Sequence, residues 1–441
     1  MDKPKKLLLV ELNEINFDFV ELYTQRYPGK FKAFEACLKR LRTTSSEDEY
    51  QNLEPWIQWP SVHTGKSYSQ HEVFRLGDMV HTEHPQIFEQ LEASGVKVGA
   101  LSAMNAVNRL KNPTYFLPDP WTNTKADNSF WSRAVTEAVT QAVNDNASGK
   151  LTLGSAIKLV LALVRFSSPR HYFRYKKLAL GSRGRSWRKA LFLDLFLHDF
   201  HLSLIRSRSP GFSTLFLNAG AHIQHHYLFN SLATESTTQL KNPDWYAPAD
   251  IDPFHEMLEV YDLILEELQA LPGTELIVAT GLSQKPYDRV KFYYRLKDHE
   301  KFIKSLGIQC KAVYPRMTRD FLIEFDTEEQ AATAEAMLSS VSVSQSTQPL
   351  FGEIDNRGDS LFVTLTFPTE IGADTDYICN GSKHPLYPEV AFVAIKNGMH
   401  QSKGFAYFSS GVERYAPDDG AHVKEINSTI KRYFGLQVEA L

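Results

Sequence analysis

Cysteine is scarce: Cys37, Cys310 and Cys379 are the three in 441 residues. Their odd number and wide separation exclude a disulfide framework and a zinc ribbon, and fit a reducing, cytoplasmic compartment. Long apolar runs are missing too. The nearest approach to a membrane span, Leu151 to Val164, is interrupted by Lys158 and falls short of the roughly 20 residues a bilayer requires. The amino-terminal apolar run ends after about five residues at Glu11, too soon for a secretory signal, and reads as a first strand. Internal repeats and low-complexity tracts are also lacking. With 43% hydrophobic and 23% charged residues and a net charge of −4, the composition is that of a globular protein able to build a large core.

The order of the segments suggests what that core is. Leu7 to Val10 is a continuous apolar run entering a polar turn, the pattern of a buried parallel strand whose carboxyl end opens into a site. Helical spacing follows over 17–41 and 86–94, and Val96 to Leu101 reads as a second buried strand. The alternation recurs with a strand at Thr214 to Asn218, a helix at Pro253 to Ala270 and a strand at Glu275 to Thr280. It implies an α/β fold, a mainly parallel sheet flanked by helices.

Two stretches break the rhythm. Over 150–210, thirteen basic residues face only Asp194 and Asp199, a local excess of +11 within a chain of net −4. This basic helical insertion admits two readings: a surface that meets an anionic membrane or gathers an anionic substrate, or a solvated helical face whose stripe Leu191, Phe192, Leu195 and Phe196 packs on the core. No nucleic-acid motif accompanies the charge, so nucleic acid is not an expected partner. The other stretch, 286–368, alternates strand, helix and hairpin as a small α+β cap would. The expected core is then 1–285 with 369–441, in which Val390 to Ile395 forms a late buried strand.

Four polar clusters carry the candidate chemistry. Glu11-Leu-Asn13-Glu14 follows the first strand, where carboxylates can bind a hard cation or act as a base; a helix-capping turn through Asn13 is the structural alternative. Pro55 to His71 contains Ser61, His63 and Thr64-Gly65-Lys66-Ser67. The earlier glycine of a phosphate-binding loop is missing, which excludes a P-loop NTPase. Asn218 to His226 places His222 and His226 four residues apart beside His225, a spacing from which two imidazoles of one helical face can reach one ion. Finally, His384 and His400, with Lys403, lie in loops flanking the late strand.

Taken in order, these blocks resemble the type I phosphodiesterase and nucleotide pyrophosphatase branch of the alkaline-phosphatase-like superfamily. Glu11, Thr64-Gly65 with His71, Asn218 to His222, Thr280-Gly281-Leu282 and His384 fall where that family has its metal-binding and nucleophilic motifs. The departures are as informative. Glu11 and Asn218 stand for aspartates, Gly281 and Leu282 for an Asp-His pair, and Pro55 for the nucleophile. The resemblance implies at most a single-metal site, held by His222 and His384 with Asn218 and Glu11 and taking one divalent ion such as Zn or Mn; a protein with no metal is the alternative.

The expected activity is hydrolysis or transfer of a phosphoester-like group on an anionic small-molecule, glycan-, lipid- or nucleotide-linked substrate. It would take place in the cytoplasm or at the inner face of the membrane. Glu11, Ser61, His63 and Thr64 are the catalytic candidates, and Asn13, Asn218, His225, His226, Gln284, His400 and Lys403 the substrate-binding ones. An inactive relative binding a glycan or protein is the competing expectation.

Overall fold

The computed structural model describes residues 5–144, 152–235, 238–316 and 319–438. The chain opens with β1 (Leu7–Leu12), α1 (Phe17–Arg26), α2 (Lys32–Leu38) and β2 (Leu41–Thr44). Helices α3 (Pro55–Thr64), α4 (Tyr68–His71) and α5 (Ile87–Ala93) lead to β3 (Val98–Leu101) and β4 (Tyr115–Leu117). A helical stretch follows: α6 (Phe130–Asn144), α7 (Leu153–Phe166), α8 (Tyr172–Leu180) and α9 (Trp187–Arg208). Then come β5 (Phe212–Leu217), α10 (Ala219–Tyr227), α11 (Leu232–Glu235), α12 (Pro253–Gln269), β6 (Glu275–Ala279) and β7 (Ser283–Leu296). Beyond them lie α13 (His299–Ser305), β8 (Ala312–Pro315), β9 (Asp320–Glu324), α14 (Glu328–Ser340), β10 (Ser342–Val343), β11 (Glu353–Asn356), β12 (Ser360–Thr364), β13 (Asp376–Cys379) and β14 (Ser382–Pro385). The chain closes with β15 (Val390–Gln401), β16 (Gly404–Phe408) and α15 (Glu425–Phe434).

These elements form two compact units, Met1–Pro286 with Gly398–Leu441, and Tyr287–Asn397. The first is built on a seven-stranded sheet of order β2-β16-β6-β1-β5-β3-β4. Strand β1 pairs in parallel with both β5 and β6, β3 pairs in parallel with β5 and β4, and β16 and β2 complete one edge in antiparallel fashion. Every residue of β1 is buried, as a central strand covered by helices on both faces requires, which is why its sequence runs Leu-Leu-Leu-Val without alternation. On one face Leu7 and Leu9 pack with Trp59 and Val62 of α3, Phe88 of α5 and Ile430 of α15. This is the α/β architecture implied by the alternation of segments.

Three local expectations need correction. The helical spacing over 17–41 is split into α1 and α2, because Tyr27 leaves the helical region and Gly29 takes a positive φ of 74°. Val390 to Ile395 does not join the main sheet; β15 pairs with β7, and the last strand of the main sheet is β16. Residues 376–385 form β13 and β14 beside β10, so the second unit runs on to Asn397, beyond the 286–368 expected of the cap. That unit also holds the four-stranded antiparallel sheet β11-β12-β9-β8.

The basic stretch is mainly helical over its described residues, as α7, α8 and α9 joined by short turns; Lys150 lies outside the described residues. Its two acidic residues both turn inward. Asp194 accepts from the Tyr261 hydroxyl at 2.6 Å and the Ala219 amide at 2.8 Å, and burial lifts its carboxyl to about 6 despite these bonds. Asp199 accepts from His171 Nδ1, the Tyr175 hydroxyl and the Ser168 amide, each at 2.8 Å. Glu267 of α12 meets His198 Nε2 at 2.8 Å and His171 Nε2 at 3.4 Å. Burial alone would lower His171, but Asp199 and Glu267 outweigh it and push the imidazole up to about 9. This buried ion network fastens α8 and α9 to α12, and the stripe Leu191, Leu195 and Phe196 is fully buried beside it.

Candidate functional site

The carboxyl ends of β1, β5 and β6 converge on the loop Asn13 to Asn16. The Asn13 amide donates to Leu217 O at the end of β5, and the Glu14 amide to Thr280 O just past β6, at 3.1 and 3.0 Å. Stitched to both neighbours, the loop holds Glu14 at a φ of 62°, a left-handed conformation that a residue with a Cβ adopts only when its surroundings over-determine it. Asn16 then caps α1, accepting from the Asp18 amide.

The forced turn delivers a buried carboxylate to two imidazoles. Glu14 Oε2 lies 2.9 Å from His225 Nε2 and 3.0 Å from His400 Nε2, and the two imidazole nitrogens are 3.2 Å apart. Three donors on one face of a tetrahedron around an ion with ligand distances of about 2.0 Å would be separated by about 3.3 Å. The trio therefore forms a nearly complete coordination face. Two Nε2 atoms aimed at each other cannot both carry a proton without repulsion, and a cation between them removes that conflict. The donor set of two imidazoles and one carboxylate suits a borderline ion such as zinc or manganese.

Electrostatics supports the same arrangement. Burial alone would raise Glu14, yet His400 and His225 hold its carboxyl well below the usual range. His400 is pulled down by burial but raised on balance by Glu14 and Glu54. Glu54, at the cap of α3, has Oε2 3.5 Å from His400 Nδ1, so a carboxylate sits behind the ring nitrogen that does not face the cluster, as in histidines poised for metal.

A shell of amides completes the site. Gln284 Nε2 donates to Glu14 Oε2 at 2.5 Å while its own Oε1 is buried without a partner. Asn13 Nδ2 donates to both Glu14 Oε1 (3.1 Å) and Asn218 Oδ1 (2.8 Å), and Asn13 Oδ1 accepts from Trp59 Nε1. Gln224 bridges the loop by donating to Glu14 O and accepting from the Asn16 amide. Gly398 brings its backbone against this shell: a Cβ there would fall 2.1 Å from Gln284 Oε1 and 2.6 Å from Gln224 O.

Of the residues singled out from sequence, Asn13, Asn218, His225, Gln284 and His400 come together here. His222 and His226 share a face of α10 with ring centroids 5.0 Å apart, but it is His225 that reaches Glu14. Because α10 begins at Ala219, the face carrying Ala221, Gln224 and His225 meets the β1 loop, leaving His222 one step round the helix. Burial and the neighbouring His225 lower His222 to about 4. Lys403 pairs with Asp18 at 2.7 Å. His384 lies in the second unit, on the exposed strand β14, stacked on Tyr377.

The four catalytic candidates are absorbed by packing. Glu11 and His63 form a fully buried pair, Oε1 to Nε2 3.0 Å, under Trp59; with period-two alternation along β1, Glu11 faces α3 rather than the crevice. Ser61 Oγ lies 3.0 Å from His71 Nε2, but His71 Nδ1 accepts from the Val73 amide. The imidazole therefore donates to the serine and cannot deprotonate it. Thr64 Oγ1 donates to Pro60 O within the last turn of α3. Gln224 and Glu54 lie outside the residues singled out from sequence, where Glu14 appears only as the second carboxylate of its cluster. For Glu14 the signal was present in the doubled carboxylates of Glu-Leu-Asn-Glu.

No family model matches the chain, and no curated protein does. Solved structures similar to it include a phosphonoacetate hydrolase from Sinorhizobium meliloti 1021 in complex with phosphonoacetate, at 12% identity and a TM-score of 0.43, covering 98% of this chain and 96% of that one. The murine ectonucleotide pyrophosphatase/phosphodiesterase 5 is similar at 11% identity and 0.39, covering 99% and 96%. An alkaline phosphatase from the Antarctic bacterium TAB5 is similar at 11% and 0.36, covering 99% of each chain. All three are proteins of the alkaline-phosphatase-like superfamily. At such identities and TM-scores the reading of fold and chemistry rests on the residues and geometry of this chain.

Proposed function

We propose that this chain hydrolyses or transfers a phosphoester-like anionic group at a single-metal site formed by Glu14, His225 and His400. The observation that carries the reading is the triangle of their ligand atoms, with edges of 2.9, 3.0 and 3.2 Å, built on a strained turn at the carboxyl edge of a parallel sheet. When bound, a divalent cation there would act as a Lewis acid on a phosphoryl oxygen and offset its charge. The amides of Asn13, Asn218 and Gln284 orient the carboxylate and the bound anion. With both histidines engaged as ligands, Glu54 Oε2, 3.5 Å from His400 Nδ1, holds that ring in the tautomer that turns Nε2 toward the ion. The group is carried by a glycan-, lipid- or nucleotide-linked substrate, in the cytoplasm or at the inner face of its membrane.

Metal analysis after addition of Zn or Mn, with a panel of phosphomonoesters, phosphodiesters and phosphonates, tests this. Stoichiometric metal and activity, both lost in Glu14→Gln and His400→Ala, are the expected result; no metal and no turnover with any ion refute it. A second reading, a non-catalytic protein binding a glycan or partner protein in the same crevice, draws on the start of α3. There Glu54, Pro55 and Trp56 supply no hydroxyl or thiol, and Ser61 and Thr64 are tied up within the helix.

A further inference from the structure

From Thr152 to Leu193 the chain contains ten lysines and arginines and no acidic residue. Within this field α7 turns an apolar stripe to solvent: Leu153, Ile157, Val160, Leu161 and Val164 are 77%, 51%, 57%, 54% and 74% exposed. Their spacing of four, three, one and three residues lines one side of the helix, while Ala162 is its buried residue and the helix rests on α6 and α9. The next helix continues the pattern, with Phe173 at 80% and Leu180 at 73% exposed, seven residues apart. Arg165, Arg170, Lys176 and Arg183 are exposed among these side chains, and none of the four has an acidic partner among the described residues. By contrast Lys158, Lys177 and Arg188 are paired with Glu137, Glu259 and Glu256.

We infer that α7 and α8 form a docking surface for an anionic lipid bilayer, on which α7 lies in the plane of the interface. Three arguments select this occupant. At 14 residues, about 21 Å long, and carrying Lys158 and Arg165, α7 is too short and too charged to cross a bilayer of about 30 Å; no helix of the described residues is long and apolar enough to do so. A second copy packed symmetrically on the same face would bring two acid-free basic fields together, whereas anionic headgroups neutralise them. Nucleic acid would satisfy the cations but leave five exposed aliphatic side chains in water; a bilayer accepts both. Each cation brought to the surface should raise affinity about fivefold. Docking stands independently of the metal site. That the substrate is itself lipid-borne rests on the reading of that site.

Flotation with phosphatidylcholine vesicles, with and without phosphatidylglycerol, tests the inference on the full chain. The wild type should float with the anionic vesicles only, and added salt should weaken this. Ile157→Ser with Leu161→Ser and Val164→Ser should abolish flotation, and Arg170→Glu with Lys176→Glu should lower affinity more than 25-fold. All five positions are solvent-facing, so circular dichroism should be unchanged. Glu14→Gln should float as the wild type does, which separates failure of docking from failure of the catalytic reading. Absence of flotation overturns the inference. So does sedimentation evidence for a dimer dissolved by the triple serine variant, or tight binding to nucleic acid that this variant leaves intact.

Discussion

Replacing His171 by glutamine tests whether the buried ion network holds the basic helices to α12 electrostatically or merely fills space. The imidazole lies between Asp199 at 2.8 Å and Glu267 at 3.4 Å and is raised to about 9 from an ordinary 6.5. A rise of about 2.5 units corresponds to about 3.4 kcal/mol of preference for the charged form. Solvent reaches Glu267, whose side chain is 17% exposed, and screening brings the expected contribution to about 2 kcal/mol. Because the folded pKa is raised, the stabilisation is complete below pH 6.5 and disappears as the pH rises through about 9. Glu267, held below its usual range by His171 and His198 against the cost of burial, contributes only above that usual range, so the network is strongest between about pH 4.5 and 6.5. Urea denaturation followed by tryptophan fluorescence should show His171→Gln less stable by about 2 kcal/mol at pH 6 and by less than about 1 kcal/mol at pH 10. Parallel stability curves across that range would refute the electrostatic account.

Other perturbations separate the site from its surroundings. Glu14→Gln should weaken metal binding by more than about 100-fold, since loss of an outer-shell partner alone costs 10- to 100-fold; equilibrium dialysis reads this. Glu54→Gln should weaken metal binding about 10- to 100-fold, because it removes the carboxylate behind His400 Nδ1, and the same dialysis reads it. Gly398→Ala should cost about 1–3 kcal/mol, because its Cβ would strike Gln284 and the Gln224 carbonyl; thermal melting measures it, and metal binding should fall with it. Ser61→Ala should leave turnover unchanged while costing about 1–2 kcal/mol for the buried hydrogen bond to His71.

The frame of the molecule was legible because most of its core strands are short, largely apolar runs separated by amphipathic helices. β1, β3, β5 and β6 announce themselves in this way. β16 was missed although Gly-Phe-Ala-Tyr-Phe is as short and apolar as the others, because it follows β15 after two residues with no helix between them to mark it as a strand of the main sheet. At the site, the right segments were visible but not always the right residue within them. Whether Glu11 or Glu14 faces the crevice depends on where the strand ends and on a backbone forced to positive φ, which composition does not reveal. Whether His222 or His225 reaches that carboxylate depends on which turn starts α10. His384 illustrates the limit of order along the chain, since its place in the motif sequence gave no warning that β13 and β14 belong to another sheet.

The strands that lead into and out of the second unit, β7 and β15, are partners in one two-stranded ribbon. Its ends therefore emerge side by side, the condition under which a module can be lengthened, trimmed or exchanged at a single locus without changing the strand order of the host sheet. Insertions or deletions within residues 287–397 can therefore leave the scaffold that presents Glu14, His225 and His400 as it is.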